Sequence, residues 1–251
     1  MFFMKSSIRL GALMLAVLVV TIGALFIVSN AEARAAVEEN DERYFLTRVV
    51  LYHAVSDTIL SDDDALYTSP TEFENQMRAL KDAGYTTVFA DEYGRHTEKT
   101  VAVTFDDGYE NVYTEAFPIL KKYGIKATVF LITSERPNHL TDAEIREMVD
   151  SGLVLFASHT VNHPDMTTLT YDEMIEELKT SKEDVERVSG QKVTCFAYPH
   201  GAYNDDVIRA VKECGYKFAY KTDMDKGDIF SIPRIIIWRA TTTEMFAESL
   251  K

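Results

Sequence analysis

The chain is short of cationic side chains: 26 Lys and Arg stand against 40 Asp and Glu, a formal net charge of −14. So acidic a surface repels phosphate backbones, which excludes nucleic acid as a partner and favours neutral or cationic substrates. Cysteine is scarce too. Two residues in 251, Cys195 and Cys214, cannot build a disulfide scaffold or a four-cysteine zinc site. Cys195 falls in an apolar strand pattern and Cys214 at a helix end, so one disulfide and two buried thiols both stay open. Six prolines and 11 glycines, without a period, exclude collagen-like and low-complexity architectures. No repeat or internal linker divides the chain. The 46% of apolar residues, over this length, suits one large globular domain.

Long hydrophobic runs are absent except at the start. Lys5 and Arg9 precede the uncharged stretch Leu10–Val28, and small-residue sites follow at Ala31-Glu32-Ala33 and Ala33-Arg34-Ala35. A basic start, an apolar run and A-x-A-like sites describe a secretory signal. The run is also close to the ~20 residues that span a bilayer, so an uncleaved anchor fits equally. Residues 1–35 are therefore expected to export the chain, with membrane contact only through this segment. Residues 36–46 read as a short linker and 47–251 as the single large domain. Asp62-Asp63-Asp64 reads as an exposed loop.

From about residue 47 onward, β-branched runs alternate with amphipathic stretches. The pattern predicts strands over Arg48–Tyr52, Thr86–Phe89, Val101–Phe105, Ala127–Ile132, Leu153–Ala157, Val193–Tyr198, Lys217–Tyr220 and Ile232–Ile237. Helices are expected over Pro70–Ala83, Val112–Tyr123, Thr141–Ser151, Tyr171–Ser189 and Asp205–Cys214, each followed by a stopping glycine or its neighbour. Such alternation implies an α/β fold with a parallel sheet, closed or nearly closed into a distorted (β/α)7-8 barrel.

Four short motifs fall directly after four of these strands, where barrel enzymes place their chemistry. Thr104-Phe105-Asp106-Asp107-Gly108 sets two carboxylates at a turn that Gly108 allows. His159-Thr160-Val161-Asn162-His163 spaces two imidazoles to share one face of a helical turn. Two histidines, one carboxylate and an open position make a normal catalytic zinc set. Tyr198-Pro199-His200-Gly201 can aim backbone N–H groups at an oxyanion, and Leu51-Tyr52-His53 ends the first strand. Each motif alone also suits an ordinary turn. Their company carries the weight. His96 and His139, without such company, read as surface residues.

Together TFDDG, H-x-x-x-H and Y-P-x-G resemble the polysaccharide deacetylases with a NodB-type domain, carbohydrate esterase family four. The likeness spans nearly all of residues 47–240. Leu51-Tyr52-His53 at the front and Phe73 to Tyr85 are similar to the exported poly-N-acetylglucosamine deacetylase branch, whose motif order is circularly permuted. The resemblance implies that Asp107, His159 and His163 bind a divalent metal, zinc first, with cobalt or nickel as substitutes. It implies Asp106 as general base and His53 as general acid, with Leu51 near the acetyl methyl. The backbone from Tyr198 and Pro199 to His200 and Gly201 would hold the oxyanion. The family's base-orienting Arg is absent here, where Ala197 stands, and Arg234 in Ile232-Pro233-Arg234 is the cation that could replace it. The expected partner is an N-acetylated polysaccharide, acted on by a monomer. Two other readings use the same residues: an O-acetyl esterase on a polymer such as xylan, and an inactive carbohydrate-binding protein.

Overall fold

Runs of valine, threonine and aromatics such as TRVVLY and TVAVTF suit a pleated surface covered on both sides. The computed structural model describes residues 47–59, 64–96 and 99–251; the expected export segment 1–35, the linker 36–46 and Asp62-Asp63 lie outside them. In chain order come β1 Thr47–Tyr52, β2 Ala54–Val55, β3 Tyr67–Thr68, α1 Pro70–Asp82, β4 Thr86–Thr87 and β5 Thr100–Phe105. Then follow α2 Phe117–Tyr123, β6 Ala127–Leu131, α3 Asp142–Asp150, β7 Val154–Ser158, α4 Tyr171–Ser189 and β8 Cys195–Ala197. The chain finishes with α5 Asp205–Glu213, β9 Phe218–Tyr220, β10 Ile235–Ile236 and α6 Thr243–Ser249.

Local chemistry sets the helix ends. Ser69 caps α1 by accepting from the Glu72 N–H, with Pro70 in the first turn. Thr170 and Glu173 form a reciprocal capping box on α4, and Gly124 ends α2 in the left-handed region at φ 60°. Before α2 the chain opens into a π-helical turn over Val112–Ala116, which the periodicity predicts as plain α-helix. The short pair β2–β3 and helix α6 carry too little pattern to be read from sequence.

All ladders of the main sheet are parallel, in the order β10-β1-β5-β6-β7-β8-β9, with β4 beside the start of β5. Ile232 bridges Tyr220 on one side, and Ile235 pairs with Val50 on the other. This single segment carries the sheet from β9 round to β1, broken at Pro233, whose missing N–H cannot join a ladder. The result is the distorted (β/α)7-8 barrel, closed only by that bridge.

Side chains alternate across the sheet. Val50, Tyr52, Val103 and Phe105 point outward into the core beneath the helices, with Phe73 and Met77 of α1. Val49, Ala102, Ala157 and Ala197, together with the larger Phe130 and Tyr220, fill the narrower interior. Cys195 and Cys214 are both buried free thiols, so no disulfide joins them. Parallel alignment brings the ends of β1, β5, β7 and β8 to one rim.

Candidate active site

The rim of β5 turns sharply. Asp106 anchors its N–H on the Tyr52 carbonyl at 3.0 Å, then Asp107 and Gly108 adopt left-handed backbone at φ 70° and 83°. A non-glycine residue there is uncommon, and such strain concentrates at functional sites. Thr160, His163, His200 and Asn138 are the other non-glycine positions with positive φ among the described residues. All lie on the loops of this rim.

The two carboxylates have different surroundings. Asp106 is buried and receives two hydrogen bonds from Arg234, Nη1 to Oδ1 and Nη2 to Oδ2, each at 2.7 Å. Arg234 is itself fully buried, donates from Nε to the Lys221 carbonyl at 3.1 Å, and stands 5.4 Å from the Phe130 ring centre. Burial alone would raise the Asp106 pKa. The Arg234 charge and hydrogen bonds, with His159 and His53, hold it down to about 2. Asp107 instead leaves Oδ1 buried without a hydrogen-bond partner.

That oxygen faces two imidazoles. Asp107 Oδ1 lies 3.6 Å from His159 Nε2 and 3.7 Å from His163 Nε2, while the two nitrogens are 3.1 Å apart. Bonds of ~2.0–2.1 Å from a tetrahedral zinc would put such ligand atoms about 3.3 Å from one another. His159 Nδ1 sits 2.8 Å from the Ala197 carbonyl and must donate to it, which leaves the Nε2 lone pair facing Asp107. Burial and the neighbouring His159 lower the His163 pKa to about 4, so His163 is neutral and able to ligate at pH 7. The orphaned carboxylate oxygen and the two lone pairs fit a divalent ion.

The histidine pair is not on a helical turn, as spacing suggests. Residues 159–163 form an irregular loop in which Thr160 and His163 take φ 67° and 58°. Side-chain bonds replace the helical ladder. Thr160 Oγ1 accepts from the His163 N–H at 2.9 Å, and Glu177 of α4 accepts from the Val161 and Asn162 N–H groups at 2.8 and 3.0 Å. Glu177 carries no motif, and only the folded chain reveals it. Glu177→Gln is expected to loosen this loop and weaken zinc affinity by about 10–100-fold, checked by competitive metal titration; unchanged affinity would remove Glu177 from the support of the site.

His53, Asp106, Asp107, His159, His163, Tyr198 and His200 line one cavity of about 300 Å3. Leu66, Tyr109, Ile132, Arg136, His139 and Thr222 complete it. His53 leaves Nδ1 buried without a partner, and burial lowers its pKa despite the two aspartates. Leu51 is buried in β1, and the leucine on the cavity wall is Leu66. On the third motif, Tyr198 donates to the Phe230 carbonyl at 2.7 Å, and Pro199 is buried. The Gly201 and Ala202 N–H groups are spent on the Tyr198 and Pro199 carbonyls, so neither can meet an oxyanion. Gly201, at φ 69°, has no room for a Cβ, which would meet Thr222 Oγ1 at 2.0 Å. His139 and His96 are half-buried rather than surface residues. The His139 ring packs tilted against Tyr109, centroids 5.0 Å apart, a contact made through a loop that no periodicity announces.

A carboxylate held ionised beside a metal-fitting cluster, on the C-terminal rim of a parallel barrel, places the chain among the barrel hydrolases. Known proteins narrow the class. The profile described as polysaccharide deacetylase matches residues 93–219. A Bacillus subtilis protein named as a polysaccharide deacetylase is 34% identical over 184 residues, covering 70% of this chain and 64% of that one. The poly-β-1,6-N-acetyl-D-glucosamine N-deacetylase of Staphylococcus aureus is 31% identical over 194 residues, 67% of each. The crystal structure of a Bacillus cereus polysaccharide deacetylase superposes with a TM-score of 0.75 at 35% identity, over 82% of this chain and 69% of that one. The chain belongs to the polysaccharide deacetylase family. It spans 64 to 67% of the length of these two curated relatives.

Proposed function

We propose that this protein hydrolyses the acetamide of N-acetylglucosamine units in a polysaccharide, outside the cytoplasm. The observation that carries the reading is the Asp106–Arg234 pair beside the Asp107–His159–His163 cluster, both opening on the cavity that His53 lines. Residues 1–35 would export the chain, as a cleaved signal or an anchor, and 36–46 would tether the domain 47–251.

A divalent cation held by Asp107, His159 and His163, zinc by its donor set, would polarise the acetyl carbonyl and acidify water beside it. Asp106 is ionised throughout the neutral range and stands 3.8 Å from His159 Nε2, so it accepts the proton of the attacking water. Arg234 fixes both carboxylate oxygens, which keeps the base from swinging onto the cluster. The tetrahedral oxyanion that forms is met by the His200 backbone, the position left on that turn once Gly201 and Ala202 are engaged. His53, just past the end of β1, delivers a proton to the departing amine, while Tyr198 and Leu66 border the acetyl group.

The acid role separates amides from esters. His53→Ala is expected to keep zinc affinity and lower acetate release from N-acetylglucosamine oligomers by about 10²–10⁴-fold. An aryl acetate should lose far less, since its leaving group hardly needs a proton. For the amide, kcat/KM should fall as pH rises along a limb below the ordinary histidine value, because burial lowers this imidazole. Equal losses on both substrates would remove His53 from the acid role. Parallel assays on N-acetylglucosamine oligomers and acetylated xylan test the substrate class; release from xylan alone would make the protein an O-acetyl esterase.

A further inference from the structure

Among the described residues, Ile59, Met224, Trp238 and Met245 are large apolar side chains left exposed. Such residues scattered singly are ordinary on a surface and need no partner. Trp238 differs by its address. It is the single tryptophan of the chain, 44% exposed, and it follows β10 at the rim where the motifs meet.

Register places its backbone. Val50 pairs with Ile235 and Leu51 with Ile236, and the Ile237 N–H still donates to the Leu51 carbonyl at 2.9 Å. The same register carried two places on sets Trp238 beside His53, one strand spacing of about 4.8 Å away. Alternation gives its side. Ile235 and Ile237 turn outward into the core beneath the helices, whereas Arg234 turns inward to Asp106. Position 238 shares the face of Arg234, which is the catalytic side of the sheet.

The turn that follows is pinned from several directions. The Trp238 N–H donates to Thr241 Oγ1 at 3.0 Å, and the Thr241 N–H returns to the Trp238 carbonyl at 2.9 Å. Gln76 of α1 donates from Nε2 to the Thr241 carbonyl at 2.9 Å. The Arg239 N–H donates to the Ala65 carbonyl at 2.8 Å, and the next residue, Leu66, borders the catalytic cavity. A backbone held this way leaves little to be ordered when a ligand meets the indole.

We propose that Trp238 is a stacking platform for the polysaccharide on the His53 side of the scissile acetamide. The C–H face of a pyranose offers no strong hydrogen-bonding group and lies flat on the electron-rich face of an indole. His53 serves the departing amine, and that nitrogen stays on the sugar, so the sugar ring and its neighbours lie on this side. The indole therefore meets the carbohydrate and leaves the acetyl group to the metal cluster. It governs affinity for the chain, not the cleavage step. The proposal rests on the deacetylase reading only for the identity of the sugar.

A lone tryptophan makes the test direct, since all indole emission comes from this position. Zinc-loaded Asp106→Asn protein, which binds without turnover, is titrated with N-acetylglucosamine tetramers of β-1,4 and of β-1,6 linkage, by fluorescence and by calorimetry. A saturable blue shift with either tetramer is expected, with the same Kd by both methods. In the otherwise intact enzyme, Trp238→Ala should raise KM for the responding tetramer about tenfold. Its kcat should stay within about twofold, and zinc affinity and melting temperature should not move, which separates stacking from a structural role. Trp238→Phe, which keeps an aromatic face, should recover most of the lost KM. A blue shift without acetate release by the intact enzyme would support the platform and remove the deacetylase reading. Emission that stays in place with both tetramers, whether or not calorimetry shows binding, would overturn the platform. So would an unchanged KM in Trp238→Ala, or a shift given by phosphatidylcholine vesicles and by neither sugar.

Discussion

His159→Ala and His163→Ala are each expected to lose zinc and deacetylation together. Each imidazole supplies one of three converging ligand atoms, and His159 is also locked by the Ala197 carbonyl. Two remaining ligands cannot hold the ion at ordinary concentrations. The missing charge stabilisation is worth several kcal/mol, so turnover should fall about 10³-fold or more. Folding should survive, because both rings lie on a rim loop rather than in the cores. Inductively coupled plasma analysis beside acetate release checks the pair of losses. A variant that kept its zinc and lost only turnover would move that histidine from ligand to some other role.

The second large effect concerns the base. Asp106→Asn should retain zinc and lose about 10²–10⁴-fold in turnover. Arg234→Met is the more revealing change. Without the guanidinium, burial dominates and the Asp106 pKa rises from about 2. The Asp106 carboxyl, and any acid limb of kcat/KM that it sets, should move upward by a unit or more, which a merely structural defect would not do. Stability follows the same linkage. The folded pKa lies below the ordinary 3.8, so the pair stabilises the fold above about pH 4, and that contribution is lost as pH falls through about 2. Breaking the pair leaves a buried charge and should cost about 3–5 kcal/mol at neutral pH, read by denaturant unfolding. An acid limb that stayed in place in Arg234→Met would detach the arginine from the base.

Much of the barrel is legible in the chain because its strands are buried on both faces and read as β-branched runs between glycine-stopped helices. The runs before Asp106, His159, Tyr198 and His53 each end within a residue or two of the observed strands, so the motifs fall together on one rim. What sequence cannot give is loop conformation. The i, i+4 spacing of His159 and His163 suggests a helical turn, yet the loop replaces helical bonds with Thr160 and Glu177. Leu66, Tyr109 and His139 reach the cavity through long-range contacts that no local period encodes. Arg234 lies in between: the triplet Ile232-Pro233-Arg234 marks a strand start, but its two bonds across 128 positions to Asp106 come only from closing the barrel.

The most direct measurement of the central claim is acetate release from N-acetylglucosamine oligomers by the zinc-loaded protein, the chelated protein and the chelated protein reloaded with zinc. The account predicts release in the first, loss in the second and recovery in the third, with zinc bound one per chain through Asp107, His159 and His163. Release that persisted unchanged after the metal was stripped, or none from a fully zinc-loaded protein, would contradict it.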